Sequence, residues 1–113
     1  MKEDVEEFYR EWKKAMGTMQ EEASDTVEGF QTLFKKTMGD GELSAAEKEC
    51  VALGIAVATQ CKPCIRLHVK KALQAGVTRE QMMEVCGVAT MMGGGPAYTH
   101  TQEVLDALEA AEE

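Results

Sequence analysis

Residues 44–76 read SAAEKECVALGIAVATQCKPCIRLHVKKALQAG, and the fold is decided here. Ser44 with Glu47 three residues on is a capping box, the signature of a helix start. From Cys50 to Ala58 every residue is apolar or small. A helix apolar all round belongs in the middle of a domain. Lys62-Pro63 then opens a second helix, because proline fits the first turn, where its missing N–H is no loss. Ile65, His68, Val69, Ala72 and Leu73 fall on one side of that helix, and Gly76 ends it.

The same signals recur outward in both directions. Val5, Phe8, Tyr9, Trp12, Met16 and Met19 repeat at spacings of three and four, the period of one helix face. Asp25 and Glu28 predict a second capping box, followed by the stripe Val27, Phe30, Leu33 and Phe34 and a stop at Gly39-Asp40-Gly41. Downstream, Thr78 and Gln81 form another box ahead of Met82, Val85, Cys86 and Ala89. Gly93-Gly94-Gly95-Pro96 breaks the chain, and a last helix carries Tyr98, Thr101, Leu105 and Leu108, with Glu109 to Glu113 expected to fray. No strand-like alternation is sustained. The reading is an all-α bundle of about six helices in a single domain over 1–113, with 1–40 a helical pair and 42–108 the core that bears the motifs.

Composition narrows the function. The 113 residues carry a formal charge of −8, and the only lysine pairs (Lys13-Lys14, Lys35-Lys36, Lys70-Lys71) are isolated on solvated helix faces. Phosphate binding needs a basic patch, so neither nucleic acid nor an anionic membrane surface is an expected partner. The longest uncharged apolar run, Cys50 to Ala58, is too short to span a bilayer. Met1-Lys2-Glu3-Asp4 does not open a signal peptide, which predicts a cytoplasmic protein. Four cysteines in a reducing compartment suit redox catalysis, metal binding or plain burial better than a structural disulfide framework.

Three residues can carry chemistry together. At about 100° per residue, Cys61, Cys64 and His68 fall within an arc of roughly 60° at one helix start. Thiols three apart can close a disulfide with little chain movement, and unpaired amides at a helix N-terminus favour thiolate. His68 is placed to accept or relay the proton. Two other readings compete: cysteines as small buried hydrophobes, and a structural zinc site. For zinc, a fourth ligand would have to come from Cys50, Cys86, His100 or a carboxylate, none at diagnostic spacing. Glu49 lies where its helix turns from charged to apolar. If the chain reverses at Thr59-Gln60, Glu49 comes beside His68 on the antiparallel helix and can hold or protonate the imidazole.

Glu49, Cys61-Lys62-Pro63-Cys64, His68, the run Ala72-Leu73-Gln74-Ala75-Gly76-Val77-Thr78 and Met92-Gly93-Gly94-Gly95-Pro96-Ala97 together resemble the AhpD-like, carboxymuconolactone decarboxylase superfamily. The likeness covers about Glu42 to Leu108. It implies an all-helical fold, oligomers (a trimer or hexamer), and peroxide reduction by a dithiol–disulfide cycle without a bound cofactor or metal. In that cycle Cys64 attacks peroxide, Cys61 resolves the sulfenic acid, and His68 and Glu49 shuttle protons. The partners implied are a peroxide or disulfide substrate and a dithiol reductant protein. Peroxidase members often carry a second histidine just before the second cysteine; Pro63 stands there in this chain, which removes one proton-transfer group. The decarboxylase branch, a lyase reading, generally lacks the cysteine pair.

The remaining residues read as structural. Cys50 and Cys86 sit on apolar stretches as packing residues, and the glycine triplet lacks the Lys-Ser/Thr of a phosphate loop. His100 falls off the apolar stripe and is expected to be exposed. Phe8, Tyr9 and Trp12 read as core or subunit contacts, with the N-terminal helix an interface contributor.

Overall fold

A computed structural model describes residues 1–111, and the chain is helical almost throughout: α1 (Lys2–Glu22), α2 (Ser24–Met38), α3 (Ala45–Ala58), α4 (Lys62–Gln74), α5 (Arg79–Gly93) and α6 (Gly95–Ala111). Among the described residues there is no strand. Helices α3, α4, α5 and α6 pack on one another; α1 lies across α6, and α2 rests on α1 and α3 with no buried residue of its own. Leu53, Val57, Ile65, Val69, Met82, Val104 and Leu108 fill the centre, closed from outside by Val5 of α1. Burying a side chain of this size contributes about 1.5–3 kcal/mol, so the four-helix core carries most of the stability, and Val5 is the one fully buried side chain of the N-terminal pair.

The helix starts follow local chemistry. Ser44 Oγ accepts from the Glu47 amide at 3.0 Å while the Glu47 carboxylate accepts from the Ser44 amide at 2.8 Å. Thr78 and Gln81 repeat the arrangement at 3.1 and 2.9 Å. The expected box at Asp25 is absent. Only Ala23 separates α1 from α2, which begins at Ser24 without a side-chain cap. Asp25 is therefore already inside the first turn, where its charge meets the helix dipole instead of capping it.

Two helix ends use the same device. After α3, the Cys61 amide donates to the Ala56 carbonyl at 3.0 Å and the Gln60 amide to Val57 at 3.1 Å. After α4, Val77 donates to Ala72 at 2.9 Å and Gly76 to Leu73 at 3.1 Å. Both are Schellman ends, which require a left-handed residue. Gly76 supplies it at φ 92°, but at the α3 end it is Gln60, at φ 59°. A side chain there costs roughly 1–2 kcal/mol, and the turn delivers Cys61 to the head of α4. At the α5–α6 corner a Cβ on Gly93 would stand 2.7 Å from the Ala97 Cβ, so the corner closes only on glycine.

Two expectations about faces are corrected. Helix α3 packs against α4, α5 and α6 but is not enclosed: Val51 is 54% and Ile55 58% exposed. They form one wall of an apolar groove of about 690 Å³, with Val85 and Val88 of α5 opposite. Uniform apolarity cannot say which side a neighbour will cover. Helix α6 buries Ala97, Val104, Ala107 and Leu108, while Tyr98 is 65% and Leu105 41% exposed. Its small alanines mark the buried face because α4 and α5 approach closely there. Glu109 to Ala111 continue the helix without fraying; Glu112 and Glu113 lie outside the described residues.

Candidate active site

Cys61 is the N-cap of α4, and its Sγ accepts the Cys64 amide at 3.3 Å. A serine or aspartate oxygen commonly holds this place; here a sulfur takes it, at the positive end of the helix dipole. Cys61 and Cys64 are joined as a disulfide with Cα atoms 5.2 Å apart. Pro63 sits in the first turn and fixes its backbone. Cys64 packs against the core, and both cysteines remain partly exposed.

One turn beyond Cys64, at a separation that puts Cβ atoms roughly 5–6 Å apart, stands His68. Its Nδ1 is 2.8 Å from Glu49 Oε1. Glu49 is buried, with 5% of its surface exposed, and is the one charged residue in the core among those described. A carboxylate at Nδ1 keeps the ring proton there and leaves Nε2 as the nitrogen free to exchange protons. Removing one member of a buried pair strands the other, so the two residues hold each other in place. The structure thus pairs Cys61 with Cys64 and His68 with Glu49, the two pairs one turn apart along α4.

Residues to which the sequence assigns no part in the site flank them. Glu103 of α6 reaches across to Lys62 (3.6 Å) and Arg66 (3.3 Å), the latter an ion pair without hydrogen-bond alignment. Lys62, the residue after Cys61, is thereby tied away toward α6. Tyr9 of α1 donates its hydroxyl to the Arg66 carbonyl; burial pushes the phenol up, opposed by the nearby guanidinium, and keeps it a donor. Phe34 of α2 stacks on the His68 ring. None of these contacts has a sequence signature, since each depends on how separate helices cross.

The other cysteines stand apart. Cys86 is buried, and burial pushes its thiol up. Cys50 lines the α3–α5 groove; burial and then the charges of Glu47 and Glu49 push its thiol up as well. His100 is half-buried rather than exposed, donating from Nδ1 to the Pro96 carbonyl one turn back at 2.8 Å. Among the described residues, no three His, Cys, Asp or Glu side chains converge to hold a metal ion. No helix there is long and apolar enough to cross a membrane.

Comparison with known proteins places this arrangement. Residues 24–113 match the carboxymuconolactone decarboxylase family. The chain belongs to that family. A carboxymuconolactone decarboxylase family protein from Legionella pneumophila, solved in its apo form, is 31% identical and superposes with a TM-score of 0.86 over 96% of this chain and 95% of its own. A Thermotoga maritima protein at 22% identity shares the fold, with a TM-score of 0.83 over 94% of this chain and 93% of that one. An uncharacterized protein of Cupriavidus necator is 34% identical over 97% of this chain and 100% of its own length. A protein encoded in the cox locus of Paracoccus denitrificans is 37% identical over 84% of this chain and 86% of its own. The family architecture with a CxxC pair makes this a redox-capable member.

Proposed function

We propose that this protein is a thiol-dependent peroxidase or disulfide oxidoreductase of the AhpD type. The observation that carries the reading is the Cys61–Cys64 disulfide at the head of α4, with the His68–Glu49 pair one turn away. In the proposed cycle His68 takes the proton from Cys64, and the thiolate attacks one oxygen of ROOH. The O–O bond breaks, ROH leaves with a proton returned by the imidazole, and Cys64 becomes a sulfenic acid. The Cys61 thiolate, which the Cys64 amide can stabilise, then attacks the Cys64 sulfur; the S–S bond forms and water departs. A dithiol partner reduces the pair by exchange and is itself oxidised to a disulfide.

The test uses the fully reduced protein and two probes, hydrogen peroxide and tert-butyl hydroperoxide. The expected result is loss of two of the four thiols, a Cys61–Cys64 link in peptide mass mapping, and repeated peroxide consumption with a small dithiol present. Peroxide consumed no faster than by free thiol removes the peroxidase. A Cys50–Cys86 link in place of Cys61–Cys64 overturns the site.

The reading includes a homo-oligomer, a trimer or hexamer by family resemblance. Val51, Ile55, Val88 and Met92, each more than half exposed along the α3–α5 groove, form a contiguous apolar surface of the kind that marks a contact. A second copy is the proposed cover. Light scattering at micromolar concentration is expected to give a mass well above the single-chain 12.4 kDa; a mass equal to it refutes the oligomer.

A further inference from the structure

We infer that Phe34 is a positioning residue for His68, the element through which α2 acts on the redox centre. This rests on the dithiol reading above and assigns a role within it to a helix outside the four-helix core.

Helix α2 has no fully buried residue, Phe34 is half-buried, and Phe30 and Leu33 on its apolar stripe are exposed. Besides its packing on α1, α2 has side-chain tethers on α3 and α4 that gather at one place. Lys48, the neighbour of Glu49, donates from Nζ to the carbonyls of Thr37 and Gly39, both at 2.8 Å. Phe34 lies over His68 with ring centroids 6.3 Å apart and planes 23° from parallel. The Lys71 ammonium, one turn further along α4, is 4.7 Å from the same Phe34 centroid. These tethers flank Glu49 on α3 and His68 on α4, so the side chains through which α2 reaches beyond α1 meet the site.

The geometry gives Phe34 a task that the Glu49 bond alone cannot perform. One hydrogen bond at Nδ1 fixes where that nitrogen sits but leaves the ring able to swing about the bond. An aromatic face in offset contact, within the range where such pairs attract, selects one ring plane and so fixes the direction in which Nε2 points. Lys71 sets the aromatic ring in turn, as a cation over its π-face. Proton transfer needs alignment, and a misplacement of the order of 1 Å lowers rates up to about 10²-fold.

The test pairs Phe34→Leu with Phe34→Tyr and follows reduction of the Cys61–Cys64 disulfide by dithiothreitol. In this step the reagent's thiolate bonds to the Cys61 sulfur as the Cys61–Cys64 bond breaks, and Cys64 leaves and takes a proton from the His68 imidazolium. The reagent's second thiolate then attacks its own sulfur in the mixed disulfide, closing the reagent's ring and releasing Cys61 as thiolate. The assay needs no peroxide, so its outcome is separate from whether the protein is a peroxidase. Proton NMR of the His68 ring reports the stack directly, as an upfield ring-current shift in the wild type. Phe34→Leu is expected to abolish that shift and slow reduction by about 10- to 100-fold, with the helical circular dichroism unchanged because α2 contributes nothing to the core. Phe34→Tyr is expected to restore both. Wild-type reduction rates in Phe34→Leu after the shift is lost overturn the inference, and so does a Phe34→Tyr protein that regains the shift but not the rate.

Discussion

Glu49→Gln is expected to slow peroxide oxidation of the reduced protein by about 10²–10⁴-fold, the range a general acid–base group contributes. The carboxylate is buried and lies 2.8 Å from His68 Nδ1, so its negative charge is felt through little water. When Cys64 gives up its proton the imidazole becomes a cation, and a charged partner stabilises that state far more than a neutral one. Glutamine keeps the shape and can still accept from Nδ1 through its amide oxygen, but it carries no charge. Turned the other way, its NH₂ faces Nδ1 and favours the tautomer with the proton on Nε2, which removes the base from the reacting side. Either orientation lowers the rate while the packing around α3 persists. Stopped-flow oxidation between pH 6 and 8, with circular dichroism as the fold control, measures it. A variant that oxidises at the wild-type rate across that range would reduce Glu49 to a structural partner of His68.

The parts of this architecture written into the sequence are those governed by a few consecutive residues. Ser44 with Glu47 and Thr78 with Gln81 cap their helices because each box is closed over four positions. The spacing of Cys61, Cys64 and His68 places them on one side of α4 for the same local reason. Glu49 could be set beside His68 because a tight reversal makes α3 and α4 antiparallel, and the turn at Thr59-Gln60 has that form. What was not legible depends on the angle at which whole helices meet. The buried stripe of α6 runs through alanines that look neutral in a sequence, and the exposed side of α3 is as apolar as its buried side. Phe34 reads as one more member of an amphipathic stripe; only the docking of α2 turns it toward His68. Gln60 in a left-handed turn carries no sequence signal, since glycine is the usual occupant. Glu103 looks like an ordinary surface carboxylate until α6 carries it to Lys62 and Arg66.

Replacing each cysteine of the pair by serine is expected to give opposite results. Cys64→Ser should abolish peroxide reactivity, leaving only the slow oxidation of an ordinary thiol, because the serine hydroxyl beside His68 does not become a sulfenic acid. Cys50 and Cys86 cannot take over. Burial pushes both thiols up and keeps them protonated at neutral pH, where the thiol is a poor nucleophile. Cys61→Ser should behave differently. Serine is among the favoured N-cap residues, so its oxygen can accept the Cys64 amide in place of sulfur and the head of α4 should keep its form. Cys64 and its path to His68 are then intact, and one equivalent of peroxide should be consumed per chain. With no resolving thiol the product stops at Cys64 sulfenic acid, which dimedone traps as a mass-shifted peptide; no Cys61–Cys64 link can form. The two variants therefore separate attack from resolution in a single experiment. An unreactive Cys61→Ser together with a dimedone adduct on Cys61 in Cys64→Ser would reverse the two roles and make the helix-capping sulfur the attacking one.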